Sequence, residues 1–477
     1  MTYKMRVLIV EDDVDVLNEL KQQYSSNSVD AEVTSVDNRD DALAMLEDPN
    51  LAFDLVSLDM IIPPRAGAFD INVDHGISVL ATCRRACPGT PIFVFTGSSS
   101  ASMVGKFLRE SHNIDVWGQG APRPTIDHLP KLDITQLASR IEPVAAAIRA
   151  LNDVELVVAS GLQLRWEEDR LLRIFAKKRK AVRCKVTGLG GLSGARVFRL
   201  DLHSETGDVT MRAVAKLGSQ SVIAEERDNY RDHVVRLAHG AVPQLIEVIE
   251  FGAKNFCGAF YQLALDFREN FFQAGVGGAL GAPIFKAVET MTSPWAVGGE
   301  RRYKVQEIRA RCVSDSAASE LFSKYSLDWA DRFEQRPVQT KWRCIHGDLH
   351  GGNILVNREQ QTVALIDYGD VGEGPAILDP LTLEFSFLFH PDVTLGAQWP
   401  TVKQAENWFD LDLYVSGSPI EEIVRFCRAW AVSVATGPRE IAAVVYAYCL
   451  RQLKYADTNK DVALALLRGA QAAFDRD

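Results

Sequence analysis

The first 150 or so residues alternate short apolar runs with amphipathic stretches, and this alternation restricts the fold more than any other feature. The runs RVLIV, AEVTSV, FDLVSLDM, PIFVFTG and IDVWG are typical of buried strands, and helical patterns such as VDVLNELKQQY and RDDALAMLED separate them. Because parallel strands need crossover connections, repeated βα pairs indicate a doubly wound parallel sheet. We therefore predict an α/β domain with a five-stranded parallel sheet over residues 1–152, with IDVWG as its fifth strand.

Acidic side chains follow two of these predicted strands. Glu11, Asp12 and Asp13 come after the first strand, and Asp59 ends the third. The carboxyl ends of parallel strands meet at one edge of a sheet, so these carboxylates are expected to lie close together. Mutual repulsion and a preference for oxygen ligands favour a bound Mg²⁺. Thr96 ends the fourth strand, where its hydroxyl could bond an oxygen added to Asp59.

Residues 5–150 resemble the receiver domain of two-component response regulators in the stretches VLIVEDD, FDLVSLDM, DHGISVL and IFVFTGS. The resemblance implies that Asp59 is the phospho-acceptor, that Glu11 and Asp12 join it as Mg²⁺ ligands, and that Thr96 is the switch hydroxyl. It also implies a histidine kinase upstream. The family needs a lysine shortly after strand five, and LPKLDITQLASRI offers Lys131 if about ten residues are inserted before it. An inactive receiver stays open as an alternative.

A second domain pattern begins after a charged helical stretch, which we predict to be a connector over residues 153–180. In residues 181–266, the Gly-rich turn GLGGLSGARVF lies between two strand patterns, where glycines let backbone N–H groups approach phosphates. Lys216 lies within a later strand and needs an anionic partner if it is buried. Glu226 shares one helical face with apolar residues and is the first choice for that partner; Glu225 is the second.

The stretch CIHGDLHGGNILVNREQQTVALIDYGD carries the strongest chemical signal in the chain. Transfer of a γ-phosphoryl group needs a carboxylate that orients the attacking hydroxyl and oxygen ligands for Mg²⁺. Asp348 suits the first role, and Asn353 with Asp367 suits the second. A D-x4-N loop followed by a strand that ends in Asp is the arrangement seen in protein kinases. The alternative is an Asp-Gly turn with incidental acids.

The wording HGDLHGGNIL with LIDYGD resembles the aminoglycoside phosphotransferase and choline kinase-like family over residues 180–470, and parts also resemble a kinase-like domain of bacterial conflict-system proteins. The resemblance implies an α+β bilobal fold with a largely helical C-lobe over residues 267–477. It makes Asp348 the catalytic base, Asn353 and Asp367 the Mg²⁺ ligands, and Asp379 a structural acid. The implied ATP-binding residues are Gly190, Gly191, Ser193, Lys216, Glu226, Gln262 and Leu263.

These patterns together predict an ATP-dependent, aminoglycoside phosphotransferase-like kinase that an N-terminal receiver regulates. The patterns do not specify whether the acceptor hydroxyl belongs to a small molecule or to a protein. The helical segment predicted around Arg301–Phe333 is expected to border the acceptor site. His350 is expected to be a solvated loop residue. The alternatives are a scaffold that binds nucleotide without phosphotransfer and a phosphorelay intermediate. The net charge of −11 argues against nucleic-acid or membrane binding, and the scattered cysteines favour the cytoplasm. The oligomeric state is left open.

Overall fold

The computed structural model describes residues 3–96, 111–118, 120, 122–190, 194–237, 242–264, 267–276, 278, 280–395 and 399–476. The chain forms two compact units. The first unit comprises Met1–Ala224 with Leu245–Leu263, and the second unit comprises Glu225–Gln244 with Ala264–Asp477. Among the described helices, none combines the length and apolar character that crossing a bilayer requires.

The first unit begins with a parallel sheet in the order β2-β1-β3-β4-β7, which confirms the predicted doubly wound architecture. Its strands are β1 (Arg6–Val10), β2 (Glu32–Val36), β3 (Leu55–Asp59), β4 (Ile92–Thr96) and β7 (Ile126–Pro130). The helices are α1 (Val14–Tyr24), α2 (Arg39–Glu47), α3 (Val73–Ala86) and α4 (Leu137–Arg149). The predicted helix SASMVGKFLRES lies largely outside the described residues. Strand β3 is buried along its whole length, as a central strand covered on both faces should be.

The prediction of IDVWG as the fifth strand is wrong. Residues before β7 instead form a small antiparallel hairpin of β5 (Asn113–Ile114) and β6 (Arg123–Pro124). The apolar residues Val116 and Trp117 are buried in the core without joining the sheet. Strand β7 lies at the sheet edge, and its sequence IDHLP buries only Ile126 and Leu129. An edge strand needs fewer apolar residues than a central one, so its sequence signal was weaker than that of the hairpin.

The remainder of the first unit is a six-stranded sheet in the order β12-β13-β11-β10-β9-β8. Its strands are β8 (Glu155–Val158), β9 (Arg183–Gly190), β10 (Arg196–His203), β11 (Val209–Ser219), β12 (Leu245–Ile249) and β13 (Phe256–Gln262), with helix α5 (Trp166–Lys178) between β8 and β9 in the chain. The segment predicted as a helical connector is therefore only partly helical. Strand β8 pairs in parallel with β9 and extends the kinase-like sheet.

Helix α5 packs against both sheets of the first unit, and buried residues from both belong to one hydrophobic cluster. Phe175 stacks on Phe260 of β13 with ring centroids 3.9 Å apart. On the receiver side, Arg170 forms a buried ion pair with Asp54, directly before β3, and its guanidinium lies over the ring of Trp117. The receiver and the six-stranded sheet thus share one hydrophobic core and are not joined merely by a flexible linker.

The second unit is mostly helical, as predicted, but it also holds two three-stranded antiparallel sheets. Helix α6 (Gln220–Asp232) begins in the first unit and ends in the second. The strands are β14 (Glu269–Asn270), β15 (Gly298–Lys304), β16 (Pro337–Ile345), β17 (Ile354–Asn357), β18 (Thr362–Leu365) and β19 (Gly372–Pro375). Arg301, predicted to lie in a helical segment, is in β15, which pairs with β16. The exposed, charged sequence GGERRYK of β15 carries no apolar alternation that would reveal it.

Besides α6, the second unit contains eleven α-helices among the described residues. They are α7 (Phe271–Val276), α8 (Ala282–Met291), α9 (Val305–Ala310), α10 (Asp315–Lys324), α11 (Ala330–Glu334), α12 (Leu378–Phe389), α13 (Val402–Glu406), α14 (Leu411–Val415), α15 (Glu421–Val434), α16 (Pro438–Gln452) and α17 (Lys460–Phe474). Two of them, α7 and α12, contact the loop between β16 and β17. Helices α12 and α16 are buried along most of their length, so side chains that they project toward this loop are held in fixed positions.

Candidate active site and receiver pocket

The receiver pocket lies at the carboxyl ends of β1, β3 and β7. The Nζ of Lys131 donates to Oδ2 of Asp59 at 2.7 Å and to Oε1 of Glu11 at 2.9 Å. Because β7 ends at Pro130, Lys131 follows the fifth strand directly, and no insertion separates the two. Carboxylate oxygens of Glu11, Asp12 and Asp59 all lie within 4.8 Å of one another. The structure therefore brings these four predicted residues together.

Electrostatics in this pocket favour a cation. Burial and the charge of Asp59 raise the pKa of Glu11 to about 7. Burial opposes the charge of Lys131, but its hydrogen bonds to Asp59 and Glu11 outweigh it and raise the pKa of Lys131. The Oε2 of Glu11 is buried and has no hydrogen-bond partner among the described residues. A set of three carboxylates with one unused buried oxygen fits a Mg²⁺ ion.

Asp13 and Thr96 lie near the pocket but are not part of the group formed by Glu11, Asp12, Asp59 and Lys131. Asp13, the third acid of the sequence cluster, caps helix α1 by accepting from the backbone N–H groups of Asp15 and Val16. Thr96 ends β4 and is the register partner of Pro130, next to Lys131. The side chain of Thr96 lies outside the described residues.

The loop between β16 and β17 holds the predicted catalytic base Asp348 and the predicted metal ligand Asn353, and the second predicted ligand, Asp367, follows β18. The side-chain Nδ2 of Asn353 donates to the backbone oxygen of Asp348 at 2.9 Å. The backbone N–H of Ile366 donates to the backbone oxygen of Asn353 at 3.0 Å, so the residue before Asp367 is joined to this loop. Asp367 has a φ of 64°, a conformation that non-glycine residues rarely adopt outside constrained sites. Asp348, Asn353 and Asp367 are thus held on connected backbone.

Asp379 at the start of α12 fixes the chain that leads into Asp348. Its Oδ2 accepts from the backbone N–H of His346 at 2.8 Å, and its Oδ1 accepts from that of Gly347 at 3.0 Å. The Nε2 of His346 donates in turn to the backbone oxygen of Ile366 at 3.0 Å. Gly347 has a φ of 82°, and a Cβ there would lie 2.3 Å from the backbone oxygen of Asp370. The loop shape therefore depends on this aspartate and this glycine.

His350 is not the solvated loop histidine that the sequence suggested. Its ring stacks on Phe272 and lies 4.6 Å from the ring of His390, measured between centroids. Its Nδ1 accepts from the N–H of Gly352, and its Nε2 lies 3.7 Å from Oδ2 of Asp348. Burial lowers the pKa of His350 to about 4, so the ring is neutral beside Asp348 at neutral pH.

Arg451 is a candidate site residue that the sequence reasoning missed. It projects from α16, and its Nη2 donates to Oδ1 of Asp348 at 3.1 Å. The two residues are separated by 103 positions, and no motif surrounds the arginine. Helical periodicity does not mark it either, because α16 is buried along most of its length.

The predicted nucleotide contacts divide into described and undescribed positions. Lys216 lies buried in β11, with Val197 and Ala259 as register partners. Glu226 on α6 is buried, whereas Glu225 is exposed, in accord with the helical-face argument. Gln262 ends β13, and the N–H of Leu263 donates to the backbone oxygen of Arg212 at 3.3 Å. Gly190 ends β9, whereas Gly191 and Ser193 lie outside the described residues.

Comparison with known families supports both halves of this description. Residues 7–113 match the response regulator receiver domain family. Residues 293–393, which include Asp348, Asn353, Asp367 and Asp379, match a phosphotransferase enzyme family. The recognition of both domains from sequence motifs is thereby confirmed. None of the curated proteins matches the chain.

Solved structures similar to the chain fall into the same two classes. The phosphorylated cyanobacterial phytochrome response regulator RcpA is 17% identical, covers 30% of this chain and 91% of its own, and has a TM-score of 0.22. A response regulator receiver domain protein from Clostridium thermocellum is 16% identical and covers 29% of this chain and 98% of its own, with a TM-score of 0.20. An ethanolamine kinase from Plasmodium vivax is 10% identical and covers 65% and 91%, with a TM-score of 0.34.

Proposed function

We propose that this chain, in which a receiver domain is joined to a domain of the phosphotransferase enzyme family, is an ATP-dependent phosphotransferase under receiver control. The observation that carries the proposal is the connected backbone of Asp348, Asn353 and Asp367. The Asn353 amide holds the backbone of Asp348, and Ile366 holds the backbone of Asn353. An incidental Asp-Gly turn would not place a carboxylate, an amide and a strained aspartate on one bonded framework.

The reaction assigned to this site is transfer of the γ-phosphoryl group of ATP to an acceptor hydroxyl. Asp348 orients the hydroxyl and accepts its proton. The acceptor oxygen forms a bond to the γ-phosphorus, the bond from that phosphorus to the bridging oxygen breaks, and the electron pair leaves with ADP. Because the transition state spreads charge over phosphoryl oxygens, positioning and charge neutralisation supply most of the rate enhancement.

The remaining residues fit the binding of ATP and Mg²⁺. Asn353 and Asp367 offer the oxygen ligands that Mg²⁺ prefers, and the ion would supply charge neutralisation at the phosphates. Lys216 is a buried cation suited to phosphate oxygens, and we assign Glu226, which is also buried, to the same nucleotide-binding set. Backbone groups of Gln262 and Leu263 would contact the base, and the glycine turn at Gly190, Gly191 and Ser193 would cover the phosphates.

Receiver control is proposed from the shared core of the first unit. Asp59 ends β3, and Asp54, directly before the same strand, is paired with Arg170 of α5. Helix α5 contacts β13 through the Phe175–Phe260 stack, and β13 ends at Gln262. A phosphoryl group on Asp59, supplied by a histidine kinase, would bias the receiver between two states, and rigid packing would carry that bias to the nucleotide residues.

The test uses the full-length protein with γ-labelled ATP and Mg²⁺, and separate pools of small molecules and proteins as acceptors. We expect transfer by the wild type and a fall of about 10²–10⁴-fold in Asp348→Asn, with nucleotide binding retained. Asp370→Asn, which changes an exposed acid in the same region, serves as the matched control. Nucleotide binding without turnover in the wild type would support the scaffold alternative instead.

A second arm tests receiver control. The wild type and Asp59→Asn are compared with and without a small-molecule phosphodonor such as acetyl phosphate. The donor is expected to change ATP turnover only in the wild type. An equal response in both proteins, or none in either, would refute coupling while leaving the phosphotransferase assignment standing.

A further inference from the structure

We propose that the acceptor of this phosphotransferase carries an acidic group beside its reactive hydroxyl, and that Arg451 binds this group. The inference rests on the proposed function and narrows its substrate class. A cationic sugar, a neutral alcohol and a protein side chain are the alternative acceptors. The charges around Asp348 distinguish among them.

Arg451 is fixed next to the catalytic base. Its Nη2 donates to Oδ1 of Asp348 at 3.1 Å, and its Nε donates to the hydroxyl of Tyr455 at 3.3 Å. The side chain of Arg451 is 23% exposed, so part of it is accessible to solvent. The Nη1 group makes no hydrogen bond to any described residue. A guanidinium with an unused donor edge is suited to a carboxylate or phosphate.

The ion pair leaves Asp348 able to act as a base. Arg451 engages Oδ1, whereas Oδ2 lies 3.7 Å from Nε2 of the neutral His350 ring. An acceptor with adjacent hydroxyl and acidic groups can therefore place the hydroxyl at Oδ2 and the acid at Arg451. In that arrangement the arginine both binds the acceptor and orients the group that reacts.

A second arginine reinforces the positive charge on this side of Asp348. Arg311 follows α9, and its Nε and Nη2 donate to the backbone oxygens of Glu373 and Asp370 at 3.2 and 2.5 Å. Backbone carbonyls do not neutralise a guanidinium, so Arg311 keeps its charge. Burial raises the pKa of the intervening Cys312 thiol to about 11, and the positive charges of Arg451 and Arg311 oppose that rise. The Nη2 of Arg311 lies 2.8 Å from the place that a Cβ on Gly347 would take, so this guanidinium also lies beside the loop that holds Asp348.

This distribution disfavours a cationic acceptor. An ammonium group placed beside Arg451 would meet a like charge at short range in a partly dry site, where Coulomb interactions are stronger than in water. A carboxylate at the same place would exchange its water for a charge-assisted hydrogen bond.

The test compares compounds that differ in charge but share a carbon skeleton. Gluconate, glucose and glucosamine are each measured as phosphoryl acceptors and as inhibitors of basal ATP hydrolysis by the full-length wild type. The acidic compound is expected to act at concentrations at least 10-fold lower than its neutral and cationic counterparts. Equal concentrations, a preference for glucosamine, or no effect of any compound on active enzyme would overturn the inference and leave the phosphotransferase assignment intact. Absence of ATP turnover in the wild type would instead defeat the assignment itself.

Variants then locate the preference. Arg451→Gln is expected to raise the gluconate KM or inhibition constant by at least 10-fold relative to that of glucose, and Arg451→Lys is expected to restore part of the difference. Arg468→Gln, at an exposed arginine of α17, is the control. A role of Arg451 as a counter-ion to Asp348 alone predicts an equal loss of kcat for all acceptors and a shifted acidic limb of the pH profile. That result, or no change in Arg451→Gln, would overturn the inference.

Discussion

The ammonium group of Lys131 lies 2.7 Å from the carboxylate of Asp59, and the two residues are 72 positions apart in the chain. Lys131 also donates a hydrogen bond to Glu11, so one cation offsets two buried acids whose like charges would otherwise repel each other. This arrangement predicts that the pocket needs either an ammonium group or a metal ion to be stable with both acids charged.

Replacing the lysine tests that dependence. Lys131→Met is expected to lower the free energy of unfolding by about 1–3 kcal/mol at pH 7, because two carboxylates lose a charged partner. Mg²⁺ should stabilise the variant more than the wild type, since the ion would take the place of the ammonium group. Urea unfolding with and without Mg²⁺ measures both effects. Lys4→Met, in an exposed pair with Asp30, is the control, and equal Mg²⁺ responses in all three proteins would contradict the prediction.

The buried pair of Arg170 and Asp54 predicts that the receiver and the six-stranded sheet unfold together. Arg170→Met leaves Asp54 buried with Arg6 as its one charged partner among the described residues, and we expect a loss of about 3–5 kcal/mol. Hydrogen exchange should show lower protection in β3 and β13 alike. Loss of protection in β3 alone would show that the shared core is not one cooperative unit. Arg183→Met breaks an exposed pair with Glu155 and should change little.

Asp379 is predicted to act through the catalytic loop rather than through substrate. Asp379→Asn removes one of the acceptors that hold the N–H groups of His346 and Gly347, so Asp348 should be positioned less well. A fall of about 10²-fold in kcat with a smaller change in KM for ATP is expected, because misplacement of reacting groups acts mainly on the chemical step. Unchanged kcat in a folded variant would exclude this positioning role.

His350 predicts a specific pH dependence of stability. Its pKa is lowered from 6.5 to about 4 in the folded protein, so the unfolded chain binds a proton that the native ring rejects. Stability from this group is complete above pH 6.5 and is lost as the pH falls toward 4, by about 2 kcal/mol at pH 5. Urea unfolding at pH 7.5 and pH 5 should show a smaller loss in His350→Gln. An exposed histidine substitution, His112→Gln, should leave the wild-type loss unchanged.

Local patterns predicted those parts of the protein that depend on short stretches of sequence. Asp348, Asn353 and Asp367 lie within 20 residues, and glycines and strand patterns around them restrict where they can point. The carboxylates Glu11 and Asp59 were predictable because parallel strands bring their ends to one edge. In both cases the backbone geometry of the element determines where the side chain goes.

Other features depend on long-range packing that no local pattern records. Arg451 reaches Asp348 from a helix that is buried on nearly all sides, so its sequence does not mark which residue faces the loop. The segment that holds Val116 and Trp117 has the sequence pattern of a strand because both residues are apolar and buried. They pack in the core that α5 shares and do not belong to the sheet. Strand β8 was hidden because residues 153–180 are dominated by charged helical sequence.

The pairing of β8 with β9 has a practical consequence for anyone who wishes to study the two domains apart. A kinase fragment that starts at residue 181 would lose its outermost strand and the helix that covers Phe260, and a receiver fragment that ends at residue 152 would leave Asp54 without Arg170. Poor solubility of either fragment would result from exposure of the hydrophobic core that the two sheets share, not from a loss of regulation. Receiver exchange between proteins would have to carry residues 153–180 along with the domain that they complete.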